Sequence, residues 1–214
     1  MDILGLNQAY RHALRRERLF RDRQNPFELY DDTELHRRYR FTRDGIHFLI
    51  ENLNGLESPT ARSFAIPKHV KVYVGLRCLA IGAFQTLVCD ELGIQLYQPS
   101  ISRCVTQFLE SMQQFAPTCI QWPVNIMRSQ QYFFEHFRIP EVVGCIDGTH
   151  VQIQAPIGDE EPAFVNRLNY HSINVQAVCD EKAKFISINA NQPGSVHDST
   201  VLRVSTAKSK RINA

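Results

Sequence analysis

The sequence has no Cys-x-x-Cys pair, no long apolar run and almost no net charge. Its six cysteines (Cys78, Cys89, Cys104, Cys119, Cys145 and Cys179) lie far apart. That spacing argues against a structural zinc site and a disulfide framework, and reads most of them as small buried hydrophobes in a reducing compartment. No stretch approaches the roughly 18 apolar residues of a membrane span. The start, Met1-Asp2-Ile3-Leu4-Gly5, lacks the basic-then-apolar order of a secretory signal. The expectation is a protein inside the cell with no membrane contact. A net charge of +2 is too small to indicate nucleic acid by itself.

What is present is the composition of an ordinary folded protein. With 43% hydrophobic and 21% charged residues over 214 positions, the chain can bury one good core or two modest ones. Positive charge is unevenly spread: Arg11, Arg15, Arg16, Arg18, Arg21 and Arg23 crowd the first helical segment, and Arg203, Lys208, Lys210 and Arg211 the last stretch. Either cluster suits phosphates. A solvated helix face and a frayed tail account for them equally well.

Helical signals fill the first 140 residues. A helix is expected over 8–24, stopped by Pro26. Another follows the acidic cap Asp31-Asp32-Thr33-Glu34, and a third runs from Thr42 to Leu53 with Ile46, Leu49, Ile50 and Leu53 at three- and four-residue intervals. The segment 55–67 reads as a loop. Three helices are then expected between Pro67 and Gln114: one striped by Val70, Val74, Arg77 and Ile81, a short one over 86–92 ended by Gly93, and one opened by Pro99. This is the outline of a helix-turn-helix, in which Arg103 and Gln107 would face a DNA groove. Any small helical bundle gives the same outline, and Leu96 and Tyr97 would have to pack beside the reading helix. A further helix over 127–137 carries Tyr132, Phe133 and Phe134, read as core.

After Pro140 the period changes to two. Val143, Cys145, Asp147, Thr149, Val151 and Ile153 alternate, as do Ile173, Val175, Ala177 and Cys179, and then Ile186, Ile188 and Ala190. The short polar segment Cys179-Asp180-Glu181-Lys182-Ala183 predicts an antiparallel hairpin. The expected architecture is α+β: a helical domain over 1–140, with its helix-turn-helix-like part at 67–114, followed by a second domain over 141–214. A three-stranded sheet needs a cover for its apolar face, and 141–214 supplies little.

Chemistry concentrates in this second part. Asp147 sits in an apolar strand before Gly148 and Thr149, where a carboxylate is costly unless paired, hydrated or bound to a cation. Asp198 follows the Pro193-Gly194 bend. Two hard oxygen donors suit Mg²⁺ or Mn²⁺, which activates water and stabilises charge on a phosphodiester. A rim aspartate bonded to amides serves for Asp147 and a helix cap for Asp198. His150 and His197 adjoin the acids and read as phosphate neighbours or supporting donors, since imidazole suits zinc better than an all-oxygen shell. In Asn166-Arg167-Leu168-Asn169-Tyr170-His171-Ser172-Ile173-Asn174, Arg167 would grip a phosphate, or the segment is a polar loop tied to its own sheet.

These segments carry a resemblance. Asp22-Arg23-Gln24-Asn25-Pro26-Phe27, Tyr30-Asp31-Asp32, Gly144-Cys145-Ile146-Asp147-Gly148-Thr149-His150, Asn166-Arg167 with Tyr170 to Gln176, and Pro193-Gly194-Ser195-Val196-His197-Asp198-Ser199 occur in the order seen in the Harbinger transposase-derived nucleases of the DDE superfamily. The resemblance implies a ribonuclease-H-like nuclease domain over 141–214, with Asp147 and Asp198 as catalytic and metal-ligating residues and Mg²⁺ or Mn²⁺ as cofactor. It further implies DNA as substrate, with Arg103, Gln107, His150, Arg167 and His197 as candidate contacts. A Myb-like nuclear protein partner and a location in nucleus and cytoplasm are also implied.

The family's further Asp, in a Gly-Asp-x-x-Tyr setting, and its Glu on a later helix have no counterpart here. Gln192 stands where relatives carry Trp. The expectation is therefore a C-terminally incomplete relative with little or no nuclease turnover. The alternatives are a DNA-binding protein without catalysis and a protein that works through a partner, with self-association through exposed apolar surface.

Overall fold

The computed structural model describes residues 25–57, 65–82 and 98–204. The expected helix over 8–24, the short helix over 86–92 with its turn, and the basic residues Lys208, Lys210 and Arg211 lie outside the described residues. The chain divides into two compact units, Met1–Phe115 and Ala116–Ala214. No helix among the described residues is long and apolar enough to cross a membrane.

The first unit is helical. Helices α1 (Pro26–Leu29), α2 (Asp32–Tyr39) and α3 (Arg43–Asn52) start where short polar side chains replace missing helical partners. Asp31 accepts the Glu34 amide at 2.7 Å and Thr42 the Gly45 amide at 3.2 Å, each cap contributing about 1 kcal/mol. Arg43 ties the three together, bonding Asp32 Oδ1 at 2.6 Å, the Phe27 carbonyl at 3.0 Å and the Tyr30 carbonyl at 2.9 Å.

Helix α4 (Lys68–Ile81) differs from its striped expectation, because every residue from Val70 to Arg77 is buried. It is surrounded by the core formed with Leu35, Tyr39, Ile46, Leu49, Leu53, Ile101 and Phe108. Gly75 makes one of these approaches possible, since a Cβ there would lie 2.2 Å from the Phe108 ring. Helix α5 (Gln98–Cys119) runs past the expected end at Gln114. Pro117 falls in its last turn, where losing one amide donor does not stop the helix, and Ile120 still donates to Ala116 at 2.9 Å.

The second unit holds α6 (Met127–Phe137) and a three-stranded antiparallel sheet in the order β1 (Cys145–Gln152), β2 (Ser172–Cys179), β3 (Phe185–Pro193), followed by α7 (Asp198–Val204). The periodicity change near residue 140 thus falls inside this unit, after a helix that packs on the sheet's hairpin. Ser129, on the buried face of α6, donates to Glu181 Oε2 at 2.6 Å, and Arg128 pairs with Glu181 Oε1 at 3.4 Å. Only Phe133 of the expected aromatic core residues is buried, one turn from Ser129, while Phe134 is exposed. The hairpin turn is held by Asp180, whose Oδ1 accepts the Lys182 and Lys184 amides, each at 2.9 Å.

Burial on β2 is the reverse of what its apolar alternation suggests. Ser172, Asn174, Gln176 and Val178 are buried, whereas Ile173, Val175, Ala177 and Cys179 are only half-buried. The polar set faces the side on which the chain returns through Gly194, Val196 and α7, and it bonds to that return. The register pairs Gly148 with Gln176 and His150 with Asn174, so these four residues share that face. Asp147 pairs with Ala177 and starts from the other face.

Candidate functional site

The Asp147 carboxylate bends back along its own strand, and its Oδ1 accepts the Gly148 amide at 2.8 Å. This amide therefore points away from β2, and β1 is the outer strand of the sheet. Asp147 thus sits at the edge of β1 that has no partner strand among the described residues, exposed to solvent.

Asp198 reaches the same glycine from the polar face. A Cβ on Gly148 would lie 2.8 Å from Asp198 Oδ1 and 3.0 Å from its Cγ. Asn174 Nδ2 donates to Asp198 Oδ1 at 2.8 Å and to the Val196 carbonyl at 2.8 Å. Asp198 begins α7, but the helix is opened by the His197 carbonyl, which accepts from Thr200 at 2.8 Å and Val201 at 3.1 Å. The side chain bonds Asn174, and among the described residues it makes no cap bond of the kind the alternative reading offered. The two acids, 51 positions apart in sequence, thus flank one residue, with Asp147 at the strand edge and Asp198 against the α-carbon. Both are exposed.

The neighbouring face is polar and ordered. His150 Nδ1 lies 3.1 Å from Ser172 Oγ, which also accepts from the buried Asn166 Nδ2 at 3.0 Å. Asn166 organises the donor-rich loop from within, its Oδ1 accepting the Leu168 amide at 2.9 Å and the Tyr170 amide at 3.4 Å. Asn169 takes a left-handed conformation there, φ 60°. This turn leaves Arg167 exposed, and His171 is paired with Glu161. His197 is also exposed, beside Asp198 in sequence.

Arg103 and Gln107 belong to the first unit. Both are exposed on α5, one turn apart, and Arg103 Nε donates to the Pro99 carbonyl at 3.2 Å.

The donor chemistry at Gly148, carboxylate oxygens open to water, fits a hard divalent cation better than zinc. Its number is small: no group of three or more His, Cys, Asp and Glu among the described residues is arranged to hold a metal ion. Sequence reasoning passed over Gly148 and Asn174, which lie against the Asp198 carboxylate. Their signal was an asparagine at an inward strand position and a glycine directly after an in-strand acid.

A family model described as DDE superfamily endonuclease matches residues 146–213. "Putative nuclease HARBI1" of Homo sapiens is 36% identical over 190 residues, covering 86% of this chain and 54% of that protein. The Xenopus laevis protein of the same name is 34% identical over 171 residues, covering 78% of this chain and 48% of the relative. "Protein ALP1-like" of Arabidopsis thaliana is 28% identical over 149 residues, 67% of this chain and 36% of the relative. No solved structure matches the chain significantly. The chain spans about half the length of the curated relatives named HARBI1 that it matches. At 34–36% identity over most of its length, the chain shows a family-level match to the Harbinger/HARBI1 nucleases of the DDE superfamily.

Proposed function

We propose that residues 141–214 form part of a ribonuclease-H-like centre for metal-dependent hydrolysis of DNA phosphodiesters. The observation that carries this reading is the approach of two exposed carboxylates, Asp147 and Asp198, to the two sides of Gly148 within the segment matched by the endonuclease family. Asp147 and Asp198 would supply oxygen ligands to Mg²⁺ or Mn²⁺. Such an ion contributes a water nucleophile at neutral pH and charge neutralisation at phosphorus. Around it, His150 is oriented by Ser172, and the exposed Arg167 and His197 are available to phosphate oxygens.

Two carboxylates do not fix two ions and an in-line phosphate. The polypeptide of these 214 residues should therefore leave supercoiled plasmid and oligonucleotides uncut in Mg²⁺ or Mn²⁺, as read on gels. Reproducible cleavage that disappears in Asp147→Ala overturns that expectation. In a longer polypeptide that supplies the family's further acids, cleavage should be lost in both Asp147→Ala and Asp198→Ala. Cleavage retained in either variant removes that residue from the site.

The exposure of Arg103 and Gln107 on α5 favours a second reading, DNA binding without turnover by the helical domain, 1–140. Salt-dependent DNA retention weakened by Arg103→Ala supports it. A Myb-like nuclear protein as partner, residence in nucleus and cytoplasm, and self-association belong to the same family-based proposal.

A further inference from the structure

Asn174, the third residue of the middle strand, is 1% exposed. Both groups that receive its Nδ2, the Val196 carbonyl and Asp198 Oδ1, are acceptors at 2.8 Å, so the amide can take only one orientation. That orientation leaves Asn174 Oδ1 buried with no hydrogen-bond partner among the described residues. A buried acceptor left unpaired costs about 1–3 kcal/mol. A valine or threonine would suit the middle of a strand better, so fold stability alone does not account for the asparagine. At the same carboxylate oxygen, the missing side chain of Gly148 leaves space that Asp198 fills.

We propose that Asn174 is a positioning residue for Asp198, with Gly148 leaving room for the carboxylate. The amide occupies Oδ1 and stops the exposed side chain from rotating away, which leaves the second carboxylate oxygen available to a cation shared with Asp147. This deepens the reading of Asp147 and Asp198 as ligands and rests on it. The groups touching the ligands rather than the ion set how much rotamer freedom an exposed aspartate must lose on binding. Without Asn174, Asp198 must be ordered by the cation itself.

The test uses the ¹⁵N-labelled 214-residue chain titrated with Mn²⁺, following paramagnetic broadening of the Gly148 and Ser199 amide signals. Wild-type protein should show saturable broadening there. Asn174→Ala should need about tenfold more Mn²⁺ for the same broadening, the usual scale for removing a group that orients a ligand, with the rest of its spectrum unchanged. Gly148→Ala, whose Cβ would lie 2.8 Å from Asp198 Oδ1, should weaken binding with Asn174 in place, and it decides the matter if Asn174→Ala does not fold. Unaltered Mn²⁺ affinity in a folded Asn174→Ala, alongside weakened binding in Asp147→Ala, overturns the positioning role and leaves the metal reading standing. No site-specific broadening in wild type overturns the metal reading. The contact itself is then tested by a double-mutant cycle of Asn174→Ala and Asp198→Ala in urea unfolding, where additive effects defeat the positioning role and coupled effects support it.

Discussion

Tyr73 carries a phenol into the middle of the helical core. Its ring meets Tyr39 at 5.3 Å and Phe27 at 5.3 Å between centroids. Burial, reinforced by the neighbouring Tyr39, pushes its hydroxyl far above the ordinary tyrosine range, so it stays neutral. That hydroxyl has no hydrogen-bond partner among the described residues. Tyr73→Phe should therefore leave the urea midpoint unchanged or raise it, by up to about 1 kcal/mol in stability. A loss larger than that, at unchanged m-value, would mean the hydroxyl holds a bond worth keeping. The same scale shows where the candidate site was legible. Asp147 and Asp198 stand out because a charge in an apolar strand and a charge after a Pro-Gly bend both need a reason. Asn174 does not, because an uncharged polar residue fits an exposed strand face as well as a buried one, and only the return of the chain through Val196 decides which it is.

The hairpin between β2 and β3 was legible as an element: a polar five-residue interval between two runs of period two leaves little else for the chain to do. Its fastening to α6 was not, since Ser129 and Glu181 are distant in sequence. The Ser129 hydroxyl, with the turn's own backbone, holds the Glu181 carboxyl below the ordinary glutamate range. A carboxyl depressed in the folded state contributes stability that is fully present above its unfolded value of about 4.3 and is lost as pH falls through the folded value. Glu181→Gln should therefore be somewhat less stable at pH 7 and should lose less stability than wild type between pH 5 and 3, in urea midpoints taken at each pH. Parallel acid limbs for the two proteins would detach Glu181 from the stability of this element. Helix α3 was legible to within a residue because Thr42 caps it, whereas α2 starts inside the acidic run it was expected to follow, because Asp31 is the cap. The end of α5 was not, because a proline in a last turn reads like a proline after one.

At the scale of the molecule, the sequence separated a helical region from a strand region, but its apolar pattern did not tell which side of the sheet the chain would cover. The polar face of β2 is covered by the return through α7. The opposite face keeps Val151 50%, Phe185 48% and Ile188 42% exposed, together with half-buried Ile173, Val175 and Ala177. Contiguous apolar surface of this kind, bordered by the edge of β1 left unpaired among the described residues, drives association in water. With a net charge of only +2, electrostatic repulsion between copies opposes it weakly. The 214-residue polypeptide should show an average mass in light scattering that rises with concentration. The double variant Val151→Thr, Ile188→Thr, which keeps β-branched side chains and so the strand preference, should move that rise to higher concentration with the same far-UV circular dichroism. If the protein scatters as a monomer across the whole range, this face is shielded in solution. If instead the double variant associates as strongly as wild type, the contact lies elsewhere, and the exposed aromatic residues Phe134 and Phe137 of α6 become the surface to change next.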